Sequence, residues 1–187
     1  NNLRTIKFTN ENCKTISESM FFDCPLLETV VFPSSVELID YNAFDGCAGL
    51  TSIEVPGTVK NIGDYAFANC TSLKSVSFPA SVEIIEAGAF QGCTSLKSII
   101  FESNSSISDI RGKRCTHSGY GCKVGAFKDC KSIEEIKIGR STPPSLNEFA
   151  FNNVTTANIT LKVPYGSLDT YKAASYWKNM TIKEYYE

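Results

Sequence analysis

Four cysteines, Cys24, Cys47, Cys70 and Cys93, stand 23 residues apart, and Phe21, Phe44, Phe67 and Phe90 precede them at a constant distance of three. Three more columns keep that period: Leu27, Leu50, Leu73 and Leu96; Val30, Ile53, Val76 and Ile99; Phe32, Val55, Phe78 and Phe101. A chain that repeats at this spacing is a stack of similar coils, because one short unit cannot bury its own apolar face and must lean on its neighbours. Phe127, Cys130, Ile133, Ile136 and Ile138 resume the columns only after a step of 37 residues, so one copy carries a 14-residue insertion within 103–125. The outer copies are degenerate in the manner of capping repeats. Leu3, Ile6 and Phe8 sit one residue early, and Val154 follows Phe151 where a Cys would stand.

Within one unit, residues 50–70 (LTSIEVPGTVKNIGDYAFANC), Ile53 and Val55 alternate with Ser52 and Glu54, which is the pattern of a half-buried strand. Pro56 ends that strand and Pro56-Gly57 turns the chain. Val59 and Ile62 follow on a return limb too short for an independent helix, so we expect that limb to be short and irregular. Ala66 permits close backbone approach, Phe67 fills the interior, and Cys70 closes the coil. Stacking such units places their strands about 4.8 Å apart in a parallel sheet.

These residues resemble the BspA-like, or Treponema pallidum-type, leucine-rich repeats, whose pattern runs A-F-x-x-C-x-x-L-x-x-I-x-x-P-x-x-V-x-x-I. Residues 43–63 (AFDGCAGLTSIEVPGTVKNIG) and 66–86 (AFANCTSLKSVSFPASVEIIE) follow it closely, and 89–107 lose only the Pro, to Glu102. The resemblance implies an α/β repeat solenoid: a leucine-rich-repeat right-handed coil with a parallel concave β-sheet, short irregular convex limbs and a C-terminal capping helix. The chain is then a single domain over 1–187, with a degenerate N-terminal repeat at 1–24, repeats over 25–153, and a last strand plus capping helix over 154–187. The tail agrees on its own terms. Pro164 closes a strand, Ser167 or Asp169 can cap a helix, and Leu168, Tyr171, Ala174 and Trp177 recur at helical spacing on one face that lids the last coil. The resemblance also implies a surface or secreted protein of host-associated bacteria, used for adhesion or binding.

The chain has 187 residues, 42% of them apolar, and a net charge of −2, so it has material for a core and no general attraction to nucleic acid or acidic membranes. No apolar run approaches the length of a bilayer span. Asn1-Asn2 is no natural initiation site, so we read the chain as a trimmed or mature form with any signal or anchor segment outside these residues. Of eight cysteines, five occupy one repeat column and Cys13 falls in the column of Val36, Val59 and Val82. Stacked buried thiols are the expectation there, since free Cys behaves as a small hydrophobe.

Cys115 and Cys122 remain, both in the insertion, with six residues between them including Gly119 and Gly121. A disulfide there would pin a protruding hairpin and suit an oxidising, extracellular setting. His117 raises a zinc alternative, but two Cys and one His lack a fourth ligand and match no usual spacing, so no metal and no cofactor are expected.

Enzyme chemistry is not expected either. His117 is the only histidine and has no fixed partner in the sequence, Glu134 and Glu135 fall on opposite faces of a strand, and no phosphate-binding glycine loop is present. Function is expected on the concave sheet face, at the positions that alternate with the buried ones. The middle column is Val31, Glu54, Ser77, Ile100 and Lys137, with Glu135 beside it; Pro33, Pro56 and Pro79 are expected to face outward at the strand ends. A second candidate is the insertion, where Arg111, Lys113, Arg114 and Lys123 concentrate positive charge and could hold an anion or acidic glycan.

The expected function is a non-enzymatic binding or adhesion module, a monomer presenting a rigid face to a protein or glycan, with host extracellular matrix among the candidates. The alternative is a structural spacer that displays other domains of a larger surface protein.

Overall fold

The computed structural model describes residues 2–114 and 123–186. In chain order the strands are β1 (Thr5–Lys7), β2 (Thr15–Ile16), β3 (Thr29–Val31), β4 (Leu38–Ile39), β5 (Asn61–Ile62), β6 (Ser75–Phe78), β7 (Ile84–Ile85) and β8 (Ser98–Phe101). They continue as β9 (Asp109–Ile110), β10 (Gly112–Arg114), β11 (Lys123–Gly125), β12 (Glu135–Ile138), β13 (Ser145–Leu146), β14 (Thr160–Pro164) and β15 (Thr181–Tyr185), with α1 (Leu168–Ala173) between the last two strands. The front of the coil is a parallel five-stranded sheet in the order β15-β14-β12-β8-β6, preceded by the parallel pair β1-β3. The residues of the third strand position, 52–55, join this ladder only through the bridge Glu54↔Ser77.

The return limbs differ from expectation. Each carries two residues of a second parallel sheet, six strands in the order β13-β9-β7-β5-β4-β2, so the back of the coil is an ordered ladder. In every rung one residue is buried: Ile16, Ile39, Ile62, Ile85, Ile110 and Leu146. Two residues are too few to show an alternation in sequence, which is why the limb reads as irregular there.

Between the two sheets lies one core, and its axis is a stack of phenyl rings. Phe21, Phe44, Phe67, Phe90, Phe127 and Phe151 pile face to face with centroids 5.2 to 5.4 Å apart. The residue before each of the last five rings is Ala, and its carbonyl is the acceptor of a link between coils: the amides of Phe21, Phe44, Phe67, Phe90 and Phe127 donate to Ala43, Ala66, Ala89, Ala126 and Ala150 of the following coil. Cysteine completes the rung. The thiols of Cys47, Cys70, Cys93 and Cys130 donate to the carbonyls of Phe21, Phe44, Phe67 and Phe90 one coil earlier, at 3.0 to 3.4 Å. All four are buried and unpaired with one another, so the column is a ladder of thiols as expected. Cys13, by contrast, is half-buried at the rim of the core.

The tail departs from the expected single lid. α1 ends at Ala173, where Ala174 turns extended (φ −77°, ψ 133°), and Tyr176 at φ +66° leads into a separate 3-10 turn that carries Trp177. Tyr171 and Trp177 are still buried against the last coil, and the Trp177 indole donates to the Pro144 carbonyl at 2.9 Å. Ser167 precedes α1 but makes no side-chain cap; the Glu184 carboxylate accepts the Leu168 amide instead, at 3.1 Å. That carboxylate comes from β15, a strand beyond the helix. Thus β14 is not the last strand of the sheet, and the chain returns after the lid to add one more rung.

Candidate partner-binding face

The front sheet presents three residue columns. The first is nearly all hydroxyl: Ser75, Ser98, Glu135, Thr160 and Thr181 are paired in register, with Thr5 opposite Thr29 further along. The second is the variable column expected from sequence, for Glu54, Ser77, Ile100 and Lys137 are linked rung by rung. In the third, Pro33, Pro79 and Gly139 are buried and Pro56 half-buried, so these turn residues are not open to a partner, while Glu102 is exposed. At Gly139 the reason is contact: a Cβ there would come within 2.3 Å of the Glu102 carbonyl oxygen.

Val31 is 47% exposed and Glu54 is exposed, whereas Ser77, Ile100, Glu135 and Lys137 are half-buried. Between β3 and residues 52–55 no strand pairing forms, and the front ladder is split. A cavity of about 490 Å³ opens there, lined by Val31, Phe32, Glu54 and Val55 among others, so Val31 and Glu54 flank a cleft and do not form adjacent rungs. Val55 stands between Phe32 and Phe78 in a column that continues as Phe101 and Ile138, and Phe78 and Phe101 stack at 5.0 Å.

The insertion forms an antiparallel hairpin, β10 with β11, whose last described pair is Arg114↔Lys123. Cys115, Cys122 and His117 lie outside the described residues, next in sequence to that pair. The positive charge expected on this loop is largely spent at home. Arg111 bridges Asp109 at 2.8 Å and Glu86 at 2.5 Å, and the Asp109 hydrogen bond, with Glu86, holds its guanidinium pKa up. Lys113 meets Asp64 at 2.8 Å; burial pulls its pKa down, but the Asp64 hydrogen bond and charge raise it on balance. Arg114 lies 3.8 Å from Glu148 and, with Lys123, over the Phe149 ring. Three of the four cations thus have carboxylate partners, and Lys123 has none among the described residues.

The structure adds residues that the repeat spacing hid. Lys137 is opposite Lys162, and Lys162 is opposite Lys183, so the variable column ends in three lysines on three adjacent strands. Lys162 pairs with Glu135 at 2.7 Å, and the Lys137 ammonium lies 4.3 Å above the Tyr185 ring. Lys162 alternates with Leu161 and Val163, and Lys183 follows Ile182. That alternation was the available signal, but the step from Lys137 to Lys162 is 25 residues and the next is 21, off the repeat period. Among the described residues no three His, Cys, Asp or Glu side chains are grouped to hold a metal ion, and no helix is long and apolar enough to cross a membrane.

The family described as BspA type leucine rich repeat region matches residues 1–117 and 122–186, in six copies. No curated protein matches the chain. Among solved structures, the chain is similar to a leucine rich cell surface protein from Faecalibacterium prausnitzii (20% identity over 99% of this chain and 60% of that one, TM-score 0.41). It is also similar to a leucine-rich repeat protein from Bacteroides ovatus (18%, 97% and 61%, TM-score 0.34) and to the pneumococcal vaccine antigen PcpA (15%, 99% and 56%, TM-score 0.51). The chain therefore spans about three fifths of the length of each of these proteins.

Proposed function

The chain belongs to the BspA-type leucine-rich repeat family, and from that premise we propose that it is a non-enzymatic binding module of a cell-surface or secreted protein, holding a protein or glycan partner on its front sheet. The observation that carries this reading is the variable column, Glu54, Ser77, Ile100 and Lys137, set in register on a solvent-facing sheet whose interior positions are uniform. Uniform inner columns build the coil; a column free to differ is where recognition can be written. Support for the location comes from the neighbours, one described as a cell surface protein and one as a vaccine antigen.

The mechanism is a preformed surface. Ile100 and Lys137 project from strands fixed by the phenyl and thiol ladders beneath them, so binding orders little backbone and loses little conformational entropy. An array of extracellular-matrix proteins and glycans tests the reading. We expect a partner whose capture falls about tenfold or more with Ile100→Asp, since a buried unpaired charge at an interface costs more than 1.4 kcal/mol. Capture that ignores Ile100→Asp and Val31→Asp would place the partner elsewhere, and no capture at all would favour a spacer that displays other domains.

A further inference from the structure

We propose that the C-terminal third of the front sheet is a binding site for an anionic polysaccharide, built on the lysine rungs Lys137, Lys162 and Lys183 and the hydroxyls beside them. This inference rests on the front face being the binding surface, and it names the ligand class for one end of that face.

Like charges directly opposite on neighbouring strands destabilise a sheet. Here three stand in one column, across β12, β14 and β15. Glu135 pairs with the middle lysine, at 2.7 Å, and the Tyr185 ring takes up Lys137, while Lys183 has no carboxylate partner among the described residues. Glu102, on the same face of β8's exit, makes no ion pair with any of them. Protection of an open sheet edge is a common use of lysine. It accounts for Lys183 on the edge strand β15 and not for Lys137 and Lys162, which lie on paired interior strands. The Glu135 pair and the Tyr185 ring offset part of that repulsion, and three lysines against one carboxylate still leave the column net positive.

The geometry selects a polysaccharide over an acidic peptide. The three lysines stand on neighbouring strands and so run across the strand direction; a chain that meets all three crosses the sheet, whereas an extended peptide joining a sheet lies along its strands. The neighbouring column runs from Glu135, held by Lys162, to Thr160 and Thr181, so two hydroxyls stand alongside Lys162 and Lys183, suited to sugar hydroxyls between the charged groups. A chain of uronic or sulfated sugars crossing β12, β14 and β15 meets both columns at once.

The experiment is a titration of the full chain with heparin, polygalacturonate, polyglutamate and neutral dextran at two salt concentrations, repeated with Lys137→Gln/Lys162→Gln/Lys183→Gln. We expect heparin or polygalacturonate to bind, with a preference between them telling sulfate from carboxylate, and dextran not to bind. The triple variant should bind at least about tenfold more weakly and lose the salt dependence. Its melting temperature should hold or rise, because the like-charge column is removed; a fall would mark the lysines as structural and overturn the proposal. Tighter binding of polyglutamate than of either polysaccharide would also overturn it, as would undiminished binding by the triple variant or no binding to either polyanion. Failure here with an array partner still lost on Ile100→Asp refutes the polysaccharide site alone and leaves the binding-module reading standing.

Discussion

At the scale of the residue, the cysteines show how position decides chemistry. Cys47, Cys70 and Cys93 are fully buried, and burial pushes the Cys47 thiol up from 9.0 to about 12 and the other two well above 9.0. A thiol held protonated is neither nucleophile nor metal ligand. The sign for stability follows: an unfolded chain releases these protons near pH 9 while the folded chain keeps them, so stability is full below that value and falls as pH rises toward 12. Each such thiol contributes a slope of up to about 1.4 kcal/mol per pH unit in that window. Urea denaturation at pH 7.5 and at pH 10 should give a distinctly lower midpoint at the higher pH, and Cys70→Ala should reduce the difference. The same residues should resist iodoacetamide in the folded chain at pH 8 and react after unfolding. That they are core rather than reactive groups is legible in the repeat alone, for five thiols in one column cannot all be catalytic. A companion signal was equally open: Asp23, Gly46, Asn69, Gly92, Asp129 and Asn153 all take positive φ, and every one is the residue before the Cys column, a Gly, Asn or Asp as a left-handed turn requires.

At the scale of the element, the front strands were readable because four residues suffice to show alternation, and the back strands were not because two do not. β15 hid for another reason. Thr181–Glu184 alternates exposed and half-buried as a strand should, but an apolar stripe at helical spacing ahead of it looks like the end of the fold until the helix is seen to stop at Ala173. The insertion's charges illustrate a third limit, since sequence places Arg111 and Lys113 in a loop and cannot show that Glu86 and Asp64, 25 and 49 residues away, lie under them. The cleft at the split in the front ladder is also an element-scale feature, and Val55 lines it. Phe8, Phe32 and Phe78 each set an edge against the central ring of their own coil, at 6.0, 5.7 and 5.5 Å, and Val55 leaves Phe67 without that partner. The cavity beside Val55 has room for a phenyl ring. Val55→Phe should therefore fill the cleft, restore the edge contact and stabilise the chain by about 1 kcal/mol, read as a higher urea midpoint. If Glu54 and Val31 act through the cleft, the same variant weakens partner capture while it strengthens the fold.

At the scale of the whole molecule, the coil is one-dimensional: the strand pairs, amide links and ring stacks all join neighbouring coils. Stability in such an array is a sum of unit and nearest-neighbour terms. Position along the stack should then matter more than residue type. Phe67 is fully buried with a ring stacked on each side, at 5.2 Å to Phe44 and 5.4 Å to Phe90. Phe151 ends the row, 9% exposed and stacked only on Phe127. Phe67→Ala should cost about 3–5 kcal/mol, the usual range for emptying a buried aromatic site, and Phe151→Ala clearly less, because one interface is weakened instead of two. Amide exchange separates this from a single cooperative globule. In Phe151→Ala the loss of protection should concentrate in β13 to β15 and leave β4 to β8 near their original values, whereas Phe67→Ala should deprotect β4 to β8 and uncouple the coils on either side. Equal costs at the two sites, or a loss of protection spread evenly over the chain after Phe151→Ala, would show that the solenoid unfolds as one unit and that the front face is held by the whole stack rather than by the coils directly beneath it.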